Sequence, residues 1–329
     1  MMLRRHAIKT AALWLAGFSP WQFGLATPGQ TFYPQVKPRR LVFPRDHGAH
    51  PAYRTEWWYL TGWLGQGPSA IGFQLTFFRS RTQHAIENPS RLAPQQLLFA
   101  HAALAVAKQD VFLHANRAGR LSGTTLRAET QDTNLQFEDW HLRRVQRGAA
   151  EIYEGRFVGD GFGMTFEAST QQPVILRGQE GLSQKGPHAD QASFYYSRAP
   201  LRVNASVQLG KQSQLLEGKA WLDHEWSSQL LMQGAVGWDW LGINLLDGGT
   251  LMAFQIRNAK SEPLHAHVDA RDLQGRPAKG WSGLKWQKRG SWRSKSLIEY
   301  PIPMGLVVGN QSFQLVPLML AQEVDARSS

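Results

Sequence analysis

The chain has 329 residues, a formal net charge of +11 and no cysteine, and 42% of its residues are hydrophobic. This apolar fraction excludes a globally disordered chain and suffices for two domains or one large β-rich domain. The lack of cysteine excludes disulfides, thiol catalysis and cysteine metal sites. The basic residues are scattered and form no recognised nucleic-acid-binding motif, so nucleic acid is not an expected partner. The charge instead favours acidic ligands or peripheral contact with anionic lipid surfaces.

The first 26 residues have the features of an export signal. A basic segment containing Arg4 and Arg5 precedes the apolar stretch AALWLAGFSPWQFG, and the small-x-small sequence GLA ends at Ala26. We therefore predict a signal peptide over 1–26 and a periplasmic or secreted mature protein. The arginine pair is compatible with a twin-arginine signal and equally with an ordinary Sec signal.

Strand patterns dominate the chain after residue 50. Aromatic and β-branched runs separated by Gly, Pro and Ser predict strands over 55–64, 70–80 and 97–107. The alanines of the third run would also suit a helix. Glycine-rich turns are predicted at 159–163 and at 247–249, each between two strands.

The predicted fold class is all-β. No repeat of 20–50 residues is present, which disfavours a propeller or a solenoid. Two successive antiparallel barrels or sandwiches fit the strands, over 27–226 and 227–329. The second domain offers only about six candidate strands, whereas a closed small barrel needs about eight. We therefore expect the second domain to be incomplete at its C-terminal end or to be completed differently.

The segment WLDHEWSS at 221–228 places three ionisable side chains between two tryptophans. In a strand, Trp221, Asp223 and Glu225 share one face, while His224 and Trp226 share the other. Repulsion between the two carboxylates would raise one pKa and could prepare a general acid. His224 could act as an acid or base beside an aromatic wall. The alternative is a satisfied polar network that joins the two domains.

Other polar groups offer weaker candidate sites. His265 and His267 share a strand face, but no third ligand accompanies them, so no metal site is predicted. Structural roles in capping or at the surface suffice for Asp46, His47 and His50. The chain contains no G-x-S-x-G elbow and no H-E-x-x-H motif, and no cofactor is predicted.

Three aromatic-rich segments carry a family resemblance: HPAYRTEWWYLTGWL (50–64), IGFQLTFFR (71–79) and GKAWLDHEWSS (218–228). They resemble the family that joins AttH-type exported proteins with carotenoid 1,2-hydratases, some members of which were labelled predicted secreted hydrolases. The resemblance implies two consecutive lipocalin-like β-barrel domains. Family members continue past the final EVDARSS into further strands, which agrees with the short strand count of the second domain.

The resemblance also suggests site residues. His224 and Trp226 match a His-x-Trp pair proposed to protonate an alkene in the hydratases, where the indole stabilises the carbocation. Those enzymes also use a Tyr-x-Asp pair on a following strand, where this chain has Phe254 and no carboxylate. Asp223 and Glu225 complete the catalytic candidates. The candidate ligand-binding residues lie in or beside the aromatic motifs and are Arg54, Glu56, Trp57, Trp58, Tyr59, Phe73, Trp238 and Trp240.

Three functions are compatible with these features. The leading prediction is an exported lipocalin-like protein that binds an apolar or amphipathic molecule such as a lipid or polyene. The resemblance adds an accessory role beside an ABC-type export system. The first alternative is a hydratase that uses His224 as the acid, against which the missing Tyr-x-Asp pair argues. The second is a ligand-free structural module, against which the density of tryptophans argues.

Overall fold

The computed structural model describes residues 33–84, 90, 93–121, 123–229 and 231–324. The predicted signal peptide therefore lies outside the described residues. The described ranges contain β-strands and three short 3-10 helices but no α-helix, which confirms the all-β prediction. The helices are Arg45–His47, Gly67–Ser69 and Ala107–Gln109. No helix in these ranges has the length and apolar character needed to cross a membrane.

The first thirteen strands form one antiparallel sheet, here called the barrel sheet. Its strands are β1 (Thr55–Leu64), β2 (Ile71–Arg81), β3 (Gln96–Val106), β4 (Val111–Arg120), β5 (Leu126–Ala128), β6 (Asn134–Phe137), β7 (Trp140–Arg147), β8 (Ala150–Gly159), β9 (Phe162–Thr170), β10 (Ile175–Leu176), β11 (Leu182–Gln184), β12 (Ala192–Leu209) and β13 (Gln212–Ser227). The segment 97–107, which could have been helical, is therefore a strand.

The barrel sheet is nearly closed. Its order is β4-β3-β2-β1-β13-β12-β9-β8-β7-β6-β5, and β10 and β11 pair with β12. The two edges of the sheet lie close together. Arg117 on the edge strand β4 donates a hydrogen bond of 3.2 Å to the carbonyl of Phe137 on β6, which is next to the other edge strand β5. The first and last strands of the barrel sheet, β1 and β13, pair along their full common length.

Apolar side chains from alternate strand positions fill the barrel interior. Phe73, Phe166 and Leu222 are buried there. The neighbouring Trp221 points to the other side of β13 and packs with Met252 outside the barrel. The prediction that 221–228 presents two different faces is thereby confirmed: one face looks into the barrel and the other looks away from it.

The strands after residue 227 form smaller antiparallel sheets. The C-terminal sheet consists of β14 (Ala235–Asn244), β15 (Thr250–Asn258) and β16 (Pro263–Arg271). The remaining strands are β17 (Leu284–Lys288), β18 (Trp292–Arg293), β19 (Glu299–Tyr300), β20 (Met304–Val308) and β21 (Gln311–Leu315). The predicted turn at 247–249 joins β14 to β15. A second core, which includes Ile243 and Leu306, lies between these sheets.

Two contacts of the barrel sheet position the candidate site. The outer face of β12 and β13 packs against the C-terminal sheet through Tyr195, Trp221 and Phe254, and we call this contact the seam. Residues 33–54, the N-terminal cover, close one end of the barrel, where Val36 packs with buried aromatic side chains. The cover lies close to the barrel: a Cβ on Gly48 would come within 2.4 Å of the Thr130 carbonyl carbon.

Candidate functional site

Strand β13 carries a polar cluster on each of its two faces. The inner cluster faces the barrel interior beneath the N-terminal cover and consists of Asp46, His47, His50, Glu56, Arg79, Tyr196 and His224. The seam cluster faces the C-terminal sheet and consists of Arg177, Lys185, Tyr195, Asp223, Glu225 and Asp269. Strand alternation separates the two clusters, so the three charges of 223–225 do not act as one group.

Glu56 on β1 is the hub of the inner cluster. Its carboxylate is fully buried and accepts hydrogen bonds from Arg79 Nε at 2.8 Å and from His224 Nε2 at 2.9 Å. It also accepts from the backbone N–H of His50 at 2.8 Å. Burial by itself would raise the pKa of Glu56, but Arg79 and His50 outweigh burial and hold that pKa well below its usual range. Glu56 is therefore a buried carboxylate in its ionised form.

His50 joins the N-terminal cover to this hub. Its Nδ1 lies 2.7 Å from Glu56 Oε1 and its Nε2 lies 3.0 Å from Asp46 Oδ1. Burial would lower the pKa of His50, but the two carboxylates raise it above its usual value. Both ring nitrogens then donate, and the imidazolium stacks on Trp226 with ring centroids 3.8 Å apart. This geometry adds a cation–π contact to the ion pairs.

The hydrogen-bond geometry assigns the protons of the other two histidines. A carboxylate can only accept, so His224 Nε2 donates to Glu56. The hydroxyl of Tyr196, 3.0 Å away, donates to His224 Nδ1 and accepts from His47 Nδ1 at 2.7 Å. Burial lowers the pKa of His224 to about 4 and that of His47 to about 2, so both are neutral at pH 7. A continuous series of hydrogen bonds thus leads from Asp46 through His50, Glu56, His224 and Tyr196 to His47.

Aromatic rings enclose His224. Trp58 stacks on the imidazole with centroids 4.5 Å apart, and Trp226 lies at 4.8 Å. Trp58 Nε1 donates to the His47 carbonyl at 3.3 Å, which ties the ring to the N-terminal cover. His224 has no exposed surface. The predicted aromatic wall beside His224 is therefore present, and it packs directly on the imidazole.

The inner cluster contains two histidines and a carboxylate whose ligand atoms are close enough together to hold a metal ion. The ligand atoms of His50, Glu56 and His224 lie within 4.8 Å of one another. However, the charge of Glu56 is already balanced by Arg79 and by the His50 imidazolium. A divalent cation would meet these positive charges and would have to displace the protons on His50 Nδ1 and His224 Nε2. We therefore assign the group as a hydrogen-bond network.

Asp223 is the most perturbed carboxyl group of the seam cluster. It accepts hydrogen bonds from Trp221 Nε1 at 2.7 Å, Tyr195 Oη at 2.9 Å and Ser197 Oγ at 2.5 Å. Complete burial raises its pKa to about 6 despite these three donors. A carboxyl group that changes charge near neutral pH inside a packed seam is typical of functional sites.

The predicted cause of this pKa shift was wrong. Repulsion from Glu225 was expected, but burial of Asp223 is the main cause. Glu225 is neutralised by Lys185, whose Nζ lies 2.9 Å away, and it accepts from the Ser193 hydroxyl at 2.5 Å. The i, i+2 spacing in the sequence identified the two carboxylates. It could not identify Lys185, which pairs with Glu225 and comes from another segment of the chain.

Aromatic side chains line the seam around these polar groups. Tyr59 meets Trp240 edge-to-face at 5.5 Å, and Trp240 Nε1 donates to Tyr195 Oη at 3.1 Å. Trp57, Trp238 and Trp240 are each only half-buried. Four of the predicted ligand-binding residues, Trp57, Tyr59, Trp238 and Trp240, thus lie on or beside the seam.

The other predicted ligand-binding residues lie elsewhere. Glu56 and Trp58 belong to the inner cluster, and Phe73 is buried in the barrel core beside Phe166, with centroids 5.9 Å apart. The Arg54 guanidinium lies 5.8 Å from the Tyr33 ring. Glu56 forms its ion pair with Arg79, which lies directly opposite it on β2.

Sequence reasoning missed several residues of the inner cluster. Asp46 and His47 are each only 1% exposed, so the expected surface role is wrong for both residues. His50 and Tyr196 are also part of the network. The signal that could have found Asp46, His47 and His50 is the concentration of ionisable residues in the short segment RDHGAH (45–50), which precedes the first strand.

Comparison with known proteins places this arrangement in context. Residues 34–329 match the AttH-like family model. A protein provisionally identified as AttH in Nitrosomonas europaea has 36% sequence identity and a TM-score of 0.79, with 90% of each chain covered. Kievitone hydratase from Nectria haematococca has 8% identity and a TM-score of 0.65, with 91% of this chain and 89% of that chain covered, and shares the fold alone. No curated protein matches the chain.

Replacement of Arg79 tests the hub. Arg79→Met leaves the Glu56 carboxylate buried without its strongest partner, and we expect the free energy of unfolding to fall by about 3–5 kcal/mol. Arg202→Met, at an exposed position of β12, is the matched control and should change stability by about 0.5 kcal/mol or less. Urea unfolding measures both. Equal effects of the two variants would contradict the central role of the Arg79–Glu56 pair.

The pH dependence of stability tests Asp223. Its pKa of about 6 in the folded chain exceeds the value of 3.8 for a free carboxyl group. Its contribution to stability is therefore present below about pH 4 and is lost as the pH rises through about 6. We expect Asp223→Asn to gain up to about 3 kcal/mol relative to the unmodified protein between about pH 4 and pH 7.5. Urea unfolding of both proteins at the two pH values measures this change. If the stability difference between Asp223→Asn and the unmodified protein is the same at both, the raised pKa of Asp223 is contradicted.

Proposed function

This chain belongs to the AttH-like family, and from that premise we propose that it binds an apolar or amphipathic small molecule at the seam. The observation that carries the proposal is the composition of the seam, where half-buried aromatic rings converge with a small number of buried polar groups. Ligand sites typically combine an apolar lining with a few such polar groups, and they form preferentially between domains.

The half-buried tryptophans support this location. Trp238 and Trp240 lie on β14, and Trp57 lies on β1 directly opposite Glu225 of β13. Large aromatic side chains gain more free energy when their remaining surface is covered. A bound apolar molecule would provide that cover. Because Trp240 Nε1 is already bonded to Tyr195, the ring is held in a defined orientation for such a contact.

The polar groups support an amphipathic ligand over a purely apolar one. Asp223 changes its charge near neutral pH, and the Lys185 ammonium lies 4.1 Å from the centre of the Phe254 ring. An ammonium over an aromatic face, beside an ionisable carboxyl group, provides donors and acceptors for a polar end group.

The inner cluster is better suited to a structural role. Both ring nitrogens of His224 are bonded to other members of the cluster, and Trp58 covers one side of this imidazole. The cluster ties the N-terminal cover to β1, β2 and β13. In our proposal it locks the end of the barrel, while the ligand binds on the opposite face of β13.

The place and partners of this binding function are also proposals. Export follows from the predicted signal peptide, and an accessory role beside an ABC-type export system follows from the family resemblance. The positive net charge of the chain supports peripheral contact with an anionic membrane surface. These proposals place the protein outside the cytoplasm, where it would carry its ligand to or from a membrane.

Fluorescence titration tests ligand binding at the seam. We expect oleyl alcohol, oleate or retinol to change the tryptophan emission of the protein saturably, because the half-buried Trp238 and Trp240 would become covered. Trp240→Leu should weaken binding by about tenfold through lost aromatic contact. Trp292→Leu, which removes a half-buried tryptophan from the separate β18–β19 sheet, is the control and should leave affinity unchanged. A protein that binds none of the three probes would refute the proposal.

Hydration of an isoprenoid double bond is the second candidate function. The observation that favours it is the pair His224 and Trp226 on one strand face, with Glu56 and Tyr196 bonded to the imidazole. These groups could pass a proton towards an alkene carbon, and an indole face could stabilise the cation. The complete burial of His224 and the presence of Phe254 in place of a phenol favour the binding proposal.

Mass spectrometry distinguishes the two candidates. If the protein is a hydratase, a lycopene-like polyene should gain the mass of one water molecule, and His224→Ala should abolish the product while circular dichroism shows an unchanged fold. The absence of any product with the unmodified protein would remove this second candidate and leave the binding proposal intact.

A further inference from the structure

Arg177 is a buried cation whose hydrogen bonding is incomplete. It follows β10 at the seam and has no exposed surface. Its Nε donates to Ser197 Oγ at 2.8 Å, whereas Nη1 and Nη2 have no hydrogen-bond partner within the described part of the chain. A buried guanidinium with unsatisfied donors is unfavourable, so this side chain requires an explanation.

The neighbours of Arg177 hold it in place without satisfying it. Asp269 Oδ2 lies 3.5 Å from Nη1, but both Asp269 oxygens accept shorter hydrogen bonds, of 2.6 and 2.9 Å, from Arg271. The Trp221 ring lies under the guanidinium, with its centroid 4.9 Å from the central carbon. One edge of the guanidinium is therefore anchored and one face is stacked, while the Nη edge is left to bind an acceptor.

A second unsatisfied buried group lies on β16, the strand that carries Asp269. His267 Nε2 is buried and has no hydrogen-bond partner among the residues that the structure describes. Burial lowers the pKa of His267, and Lys185 and Arg177 lower it further despite the opposing effect of Asp269, so this imidazole is neutral. A neutral imidazole can present an N–H at Nε2. His267 lies two residues before Asp269 on β16, so the two side chains share a strand face, and His267 adds a second possible donor to the seam.

The charge balance of the seam accommodates one additional negative charge when Asp223 is protonated, which its pKa of about 6 permits below about pH 6. The ionisable groups are Arg177, Lys185 and Arg271 on the positive side and Asp223, Glu225 and Asp269 on the negative side. When Asp223 is protonated, one positive charge is uncompensated. The Ser197 hydroxyl accepts from Arg177 and donates to Asp223, so the two groups are directly linked.

We propose that Arg177 binds the carboxylate head group of an amphipathic ligand, whose apolar body packs against Tyr195, Trp240 and Phe254 at the seam. This inference rests on the proposed binding function and names the class of ligand. The planar guanidinium edge matches a planar carboxylate in a paired, two-bond geometry. A doubly charged phosphate monoester fits less well, because only one positive charge of the seam is uncompensated and Asp269 would repel the second negative charge.

A matched pair of probes tests the head group. Oleate and oleyl alcohol share one apolar chain and differ only in the charged end. Isothermal titration below the micellar concentration should show that the unmodified protein binds oleate at least tenfold more tightly than oleyl alcohol. Arg177→Met should reduce oleate affinity by tenfold or more and leave oleyl alcohol affinity unchanged. Arg202→Met, the exposed control, should alter neither.

Each outcome separates this inference from the proposed function. Equal affinities for the two probes in the unmodified protein would overturn the carboxylate assignment while the binding proposal survives. Failure to bind oleate, oleyl alcohol or retinol would overturn both proposals. If Arg177→Met does not fold, the ratio of oleate to oleyl alcohol affinity in the unmodified protein still tests the carboxylate assignment. Arg177→Lys then provides the second variant, which retains the charge but not the planar edge and should lose most of the preference for oleate.

Discussion

The structure depends on a buried ion pair between Glu56 and Arg79. These residues face each other on β1 and β2, and their bond of 2.8 Å lies at the closed end of the barrel. Arg79 also donates to the His50 and Tyr53 carbonyls at 2.9 Å, and Glu56 binds His224 on β13. The pair thus connects three strands to the N-terminal cover. Buried charges are tolerated only with this degree of compensation, and the loss of one partner leaves the other without it.

Strand β13 separates two electrostatic environments by alternation alone. On its inner face, burial lowers the pKa of His224 and keeps the imidazole neutral. On its outer face, burial raises the pKa of Asp223. Both shifts have the same cause, because a low-dielectric environment disfavours the charged form of either group. The inner face is closed by stacked aromatic rings, whereas the seam retains half-buried aromatic rings and the unsatisfied guanidinium of Arg177. This difference is why a ligand is proposed for the seam.

Local sequence patterns predicted the strands and their faces well, but they predicted poorly which side chains contact each other in the candidate site. The strand at 55–64, the hairpin turn at 247–249 and the two faces of 221–228 follow from residue types and a period of two. The surface role of Asp46 was wrong and Arg79 was not identified as the partner of Glu56, because burial and pairing depend on segments distant in the chain. Arg177 had no sequence signal at all: its neighbour Asp269 is on the C-terminal sheet, and its stacking partner Trp221 is on β13.

The sequence by itself determined the all-β fold, the family and the residues that face each side of β13. These properties arise from short-range periodicity and from long aromatic motifs, both of which are visible in one dimension. Only the tertiary structure decided which charges meet. The bond between His224 and Glu56 joins residues separated by 168 positions, and that between His47 and Tyr196 spans 149. Such contacts, and the burial that shifts the pKa of Asp223, exist only once the strands have paired and the seam has formed.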